Sequence, residues 1–308
     1  MDRISTSNLY STVLSNMMTA QSNQVTAANQ VSSQKVATDL KGFGDQSETL
    51  TAMQTVQAQT QSYLDQSNLV SGKLTSQDTA LGQISDAVTS ATSAVSSALA
   101  TNSGSSIMQA LSTAFQGVTA GLNSTYNGQY LFSGGQVNTP ATSAASMADL
   151  TASPISSLFS NDQYIATNQV SQNTTVQTGI LASNIGANVY GAFQSIESYV
   201  QANGPFTGTL TTAQTTFLQT ALASFTTAGQ GVTAVQAQNG LSQSLVANAQ
   251  TGLTSQSTTM QGLIGNITDA NMAQVATNLQ EAQLAVQASA QVMATLRSSS
   301  LVSLLPVQ

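Results

Sequence analysis

The strongest periodic signal in the chain is a run of positions that alternates by three and four residues. It comprises Met53, Val56, Thr60, Tyr63, Ser67, Val70, Leu74, Gln77, Leu81, Ile84, Val88, Ala91, Val95 and Ala98. Heptad spacing sustained this far predicts a coiled-coil-like helix rather than a short globular one. Asp45-Gln46-Ser47-Glu48 offers a capping-box start and Asn102-Ser103-Gly104 a stop. At about 1.5 Å per residue the interval spans roughly 80 Å, so another part of the chain must lie beside it.

A weaker stripe in the same phase opens the chain: Tyr10, Val13, Met17, Ala20, Gln24, Ala27 and Val31, with a break expected at Lys41-Gly42-Phe43-Gly44. A third helix is expected from the capping box Ser106-Ile107-Met108-Gln109, carrying Ile107, Leu111, Ala114, Val118 and Leu122. The return arm begins near another box, Thr211-Thr212-Ala213-Gln214, and shows Ser242, Val246, Ala249, Leu253, Gln256, Met260, Leu263 and Ile267. Thr268-Asp269-Ala270-Asn271 interrupts the phase. A last stripe follows, Met272, Val275, Leu279, Ala282, Val286, Ser289, Met293 and Leu296, and Pro306 ends helical structure.

The middle is of another kind. Asn127-Gly128, flanked by Tyr126 and Tyr130, is a strong hairpin turn signal. From there to about Thr209, Pro, Gly and Asn punctuate short apolar pieces such as 155–159 and 189–193, which predicts a small mixed head with turns and a few strands. The internal prolines, Pro140, Pro154 and Pro205, all fall between two proline-free arms. The expected fold is therefore mainly α: a long antiparallel helical rod built from both chain ends, with a small mixed α/β or β-rich head inserted in the middle. Its expected domains are a terminal helical domain (1–44 with 268–308), a helical rod (45–139 with 210–267) and an outer head (140–209).

Composition sharpens this picture. Charged residues make up 6% of the chain, against about 25% in ordinary soluble domains. Apolar residues at 41% exclude the composition of intrinsic disorder. Neutral polar faces of this kind meet without desolvating unpaired charges, which suits close-packed subunits. The net charge is −7, and Arg3, Lys35, Lys41, Lys73 and Arg297 form no cluster. Nucleic acid and anionic membrane are thereby disfavoured as partners, and no apolar run is long enough for membrane insertion. The N-terminus shows no basic-then-apolar secretory pattern, so no cleavable signal is expected.

Cysteine and histidine are absent. That excludes disulfides, thiolate nucleophiles and zinc sites, and leaves only carboxylates and lysines as bases. Asp65, Asp78 and Asp86 do not stack as a pair on one helix face, and no phosphate-cradling or dinucleotide pattern occurs. No catalytic residue, metal ligand or cofactor can be named, and no enzyme is expected. Lys35, Lys41 and Lys73 with Asp39 and Asp45 are either solvated charges or intersubunit ion pairs. Tyr130, Leu131 and Phe132 are either core residues at a head–rod junction or a partner-binding patch.

The seams are thin, because Ala, Ser, Thr and Gln remove little apolar area from water. The outer arms, about 1–40 and 270–305, are therefore expected to order only when neighbouring subunits complete their core. The candidate packing interface is Tyr10, Val13, Met17, Val31, Met272, Val275, Leu279, Val286, Met293 and Leu296.

Several segments, taken in order, resemble the bacterial flagellar hook-filament junction proteins, a hook-associated group of the flagellin family. They are Arg3-Ile4-Ser5-Thr6-Ser7-Asn8-Leu9-Tyr10, the loop Val31-Ser32-Ser33-Gln34-Lys35-Val36-Ala37-Thr38-Asp39-Leu40-Lys41-Gly42-Phe43-Gly44, Leu50-Thr51-Ala52-Met53, Gly128-Gln129-Tyr130-Leu131-Phe132-Ser133-Gly134-Gly135, and the apolar tip Leu301-Val302-Ser303-Leu304-Leu305. The resemblance covers the two arms and implies paired terminal helices inside, a rod around them and an exposed head. It further implies self-association in a helical tube, hook and filament (flagellin) subunits as partners, an export chaperone, and passage through flagellar type III export to the extracellular flagellum. A filament-forming flagellin is the alternative. Gln34-Lys35-Val36-Ala37 departs from the Arg- and Gly-containing loop of filament flagellins and favours the junction reading. A non-flagellar surface adhesin with a glycan-binding head is the reading from another class.

Overall fold

The computed structural model describes residues 2–302, with side chains over 8–298; the side chains of residues 3–7 and 301–305, and Pro306, lie outside the described residues. The elements run α1 (Asp2–Ser33), a 3-10 segment (Leu40–Gln46), α2 (Ser47–Thr101), α3 (Ile107–Leu122), β1 (Thr125–Tyr126), β2 (Gln129–Tyr130), α4 (Asp149–Ala152), a 3-10 turn (Ile155–Leu158), β3 (Thr167–Ser171), β4 (Thr174–Gln177), α5 (Ala182–Asn203), α6 (Thr212–Thr268) and α7 (Met272–Val302). The chain is mainly helical, as its periodicity predicts, and its strands form two small antiparallel hairpins, β1–β2 and β3–β4. It divides into two compact units, one of residues 1–58 with 257–308, the other of 59–256.

The 59–256 unit holds the large core. Every α2 seam position from Thr60 to Ala98 is buried except the half-buried Tyr63. Within this unit α2 and α6 run antiparallel: Asn68 accepts from the Gln250 side chain, and the Leu74 carbonyl accepts from Asn239 and Gln243. Further along, Val88 faces Gly229. The stripe of α3 packs in as predicted, with Ile107, Leu111, Ala114, Val118 and Leu122 all buried.

A large share of this core comes from α5, a 22-residue helix inside the interval where the sequence reading expected a small mixed head with turns, short apolar pieces such as 189–193 and a few strands. Its buried Ile185, Val189, Phe193 and Ile196 follow three- and four-residue spacing. That signal was in the sequence but was overshadowed by the surrounding Gly and Asn. Phe193 meets Phe115 and Phe225 edge-on at 5.4 and 4.8 Å, while Tyr190 stacks on Phe159 at 5.0 Å. Burial pushes the Tyr190 phenol up to about 12, and its hydroxyl shares a hydrogen bond with Thr142.

Turn chemistry decides the joints. Asn127 and Gly128 take positive φ (51° and 78°) between β1 and β2, the mirror-image turn that Asn-Gly favours. Asn102 ends α2 in the left-handed region, with Ser103 N–H bonded back to the Ala98 carbonyl. The Thr211 box forms reciprocally: Thr211 N–H donates to Gln214 Oε1, and Gln214 N–H to Thr211 Oγ1. The Ser106 box does not form, because Ser106 has near-helical ψ and makes no side-chain cap bond. At Asp45 a 3-10 segment runs straight into α2.

In the unit of residues 1–58 and 257–308, α1 and α7 pack along one another. Helix α1 ends at Ser33, nine residues before Gly42, the first of the glycines at which a break was expected. Gln34 there adopts φ 57°, its N–H still bonded to the Gln30 carbonyl. This turn lets Val36 N–H bond the Thr268 carbonyl and Ala270 N–H the Gln34 carbonyl, an antiparallel bridge between the α1–α2 and α6–α7 joints. Asn271 then caps α7 by accepting from Ala273 and Gln274 N–H.

Candidate assembly interface

Apolar positions of α1 and α7 have two destinations. The first is their mutual seam. Val13, Met17 and Gln24 are half-buried and Ala20 and Ala27 buried on α1. On α7, Val275 and Ala282 are buried, with Leu279, Val286, Ser289, Met293 and Leu296 half-buried. The expected end positions fall off this line: Tyr10, Val31 and Met272 are exposed. At the end of α1 the half-buried positions are Gln30 and Ser33 rather than Val31. The α2 seam likewise passes through Gln57 rather than Val56, and the α6 seam through Ser257 and Ile264 rather than Gln256 and Leu263.

The second destination is solvent. Leu14, Met18 and Val25 sit one residue past the seam positions Val13, Met17 and Gln24, and so line a neighbouring face of α1. Met18 and Val25 are 62% and 60% exposed. On α7, Leu284 is 65% exposed and Val292 also faces out. Sequence reasoning assigned one stripe to each helix and passed over this second one; the Leu14, Met18, Val25 spacing was the signal for it.

Where the two helices face one another, small residues leave a groove of about 550 Å³ lined by Asn16, Ala20, Asn23, Ala27, Asn278 and Ala282, among others. The joint end is clasped by a salt bridge from Lys35 Nζ to Asp269 Oδ1. Hydrogen bonds from Lys35 and then Thr268 hold the Asp269 carboxyl below its ordinary range. Lys35 thus pairs within its own chain, and Asp39 instead accepts from Gly42 N–H. Lys73 is half-buried among Tyr126, Gln129 and Tyr130, and burial lowers its ammonium.

Tyr130, Leu131 and Phe132 lie in the 59–256 unit. Phe132 and Leu131 are buried in its main core, while Tyr130 is half-buried and bonds Val137 through its N–H. The polar seam positions of α2 have a clear use there. Ser67 donates to the Val170 carbonyl and Gln77 to the Thr178 carbonyl, both at 2.9 Å, and Ser242 on α6 donates to the Gln177 carbonyl at 3.1 Å. They seat the β3–β4 hairpin, whose Val170 and Val176 pack on Val70, Leu74 and Val246. Ser67 and Gln77 therefore serve as backbone acceptors' partners rather than as weak core residues.

Comparison with known proteins adds the rest. Residues 222–305 match the bacterial flagellin C-terminal helical region. No curated protein matches the chain by sequence. The fold is similar to that of a flagellar hook-associated protein from Vibrio parahaemolyticus, with a TM-score of 0.59 and 14% identity over 75% of this chain and 99% of that one. It is also similar to Bacillus cereus FlgL, with a TM-score of 0.53 and 14% identity over 70% of this chain and 98% of that one.

Proposed function

We propose that this chain, whose residues 222–305 match the flagellin C-terminal helical region and whose fold is similar to that of a flagellar hook-associated protein and of FlgL, is a structural subunit of the bacterial flagellum that joins hook to filament. The observation that carries the reading is the unfinished terminal helix pair. Among the described residues of α1 and α7, Ala20, Ala27, Val275 and Ala282 are the side chains fully buried, while Leu14, Met18, Val25, Leu284 and Val292 remain in water. A pair that small cannot offset the ordering entropy of two helices of about 30 residues. Sister molecules laid against the second stripe of α1 supply the missing apolar cover and order the arms into a helical tube.

On this reading nothing is catalysed: binding and assembly are the activity. The chain is exported through the flagellar type III route, held beforehand by a chaperone, and meets the hook lattice at one end and the flagellin lattice at the other. The description of the Vibrio parahaemolyticus relative as a flagellar hook-associated protein favours the junction over the filament. Deleting the gene in the source bacterium tests it. Bare hooks with flagellin shed into the medium are the expected outcome; a shortened or altered filament on intact junctions would assign the chain to the filament instead.

A further inference from the structure

From residue 8 to residue 33, helix α1 carries no charged side chain. Any of its faces can therefore enter a packed interior without stranding an ion. Helix α7 packs along it and buries the face through Ala20 and Ala27. The turn of about 3.6 residues sets the exposed Leu14, Met18 and Val25 roughly opposite Asn16, Asn23 and Gln30 on α1. Those three polar residues line the groove between α1 and α7. The helix pair thus presents an apolar ridge on one side and a groove on the other.

Ridge and groove match in size and chemistry. The groove holds about 550 Å³ over the buried alanines Ala20, Ala27 and Ala282, and Glu281 is the one charged residue in its lining. At about 1.5 Å per residue, Leu14 to Val25 spans roughly 17 Å and Asn16 to Gln30 roughly 21 Å. Helix interfaces close by setting large side chains against small ones, and Leu, Met and Val stand on the ridge where the groove offers alanine. The ridge cannot fill the groove of its own chain, because the two lie on opposite sides of α1. We infer, building on the assembly reading above, that the occupant of the groove is the Leu14–Met18–Val25 ridge of a second copy of this chain. Two different surfaces then meet, so the contact is head-to-tail: each copy receives one neighbour and enters the next, and a pair leaves one ridge and one groove free to continue the array.

Disulfide trapping tests this on a clean background, since the chain has no cysteine of its own. A ridge variant, Met18→Cys or Val25→Cys, is co-produced with a groove variant, Ala285→Cys or Asn278→Cys, in the source bacterium lacking its native gene. The four combinations sample the registers that the groove allows. Sheared flagella are oxidised, run without reductant, and the linked peptides identified by mass. A mixed dimer joining a ridge position to a groove position is the expected result, because a disulfide forms only where Cα atoms come within about 7 Å. Dimers joined ridge to ridge alone, or incorporated chains with no disulfide in any combination, would overturn the proposal. Flagella from which even the unsubstituted chain is absent would sink the assembly reading itself, and this inference with it.

Discussion

Single side chains in this protein matter most where neighbours cannot move. Phe193 is fully buried between Phe115 and Phe225, and Phe193→Ala should cost about 3–5 kcal/mol, seen as a lower urea midpoint with α5 amides losing exchange protection first. Gly134 has φ +64°, and a Cβ there would collide with Asp162 Oδ1, whose carboxylate also accepts from the Gly135 and Tyr164 N–H groups. Gly134→Ala should therefore destabilise by about 1–3 kcal/mol, in contrast to Gly231→Ala, which meets open space on a helix. The Lys35–Asp269 clasp carries a pH dependence of definite sign. Because the Asp269 carboxyl is lowered in the folded chain, its contribution is present above the ordinary carboxylate range and is lost as pH falls through the lowered value. The Val36 and Ala270 amide shifts should follow that titration, and Lys35→Gln should move its midpoint up; shifts indifferent to Lys35 would separate the backbone bridge from the charge.

At the level of elements, ends and seats decide more than propensity does. The reciprocal Thr211–Gln214 box fixes where α6 starts, and Thr211→Ala should cost about 1 kcal/mol by chemical unfolding. The same substitution at Ser106, whose hydroxyl caps nothing, should be close to neutral. The β3–β4 hairpin is too small to stand alone. Its place depends on Ser67, Gln77 and Ser242 reaching its carbonyls and on Val70 and Leu74 beneath it. Helix α5 shows the converse: its stripe is strong, but its Gly and Asn content hid a helix that the surrounding aromatic core holds in place.

Across the whole molecule the two units differ in how far each closes its own core. The 59–256 unit buries aromatic side chains from six segments, whereas in the terminal unit α1 and α7 bury mostly alanines beside Val275, with Leu50 of α2, and leave a second apolar stripe in water. Hydrogen exchange on dilute monomer should follow that division, with slow amides around Val95, Leu111 and Phe193 and fast ones around Ala20 and Ala282. Equal, strong protection at Ala20 and Ala282 would mean that the arms are complete without neighbours and would remove the main support for assembly through them. Introducing Glu at Met18 or Val25 should leave the monomer fold unchanged and suppress polymer growth, measured by light scattering after seeding.

The sequence by itself determined the helices of both arms, the phase of the α2 seam from Thr60 to Ala98, the Asn127-Gly128 turn and the break at 268–271. These follow from period and turn chemistry, which are properties of neighbouring residues. It could not determine that α1 stops at Ser33, that Lys35 meets Asp269, or that Ser67 and Gln77 serve a hairpin some hundred residues away. Those outcomes depend on which distant backbone arrives at a face and which of its polar groups still need partners. Periodicity says that a face will be covered; only the packed chain says by what.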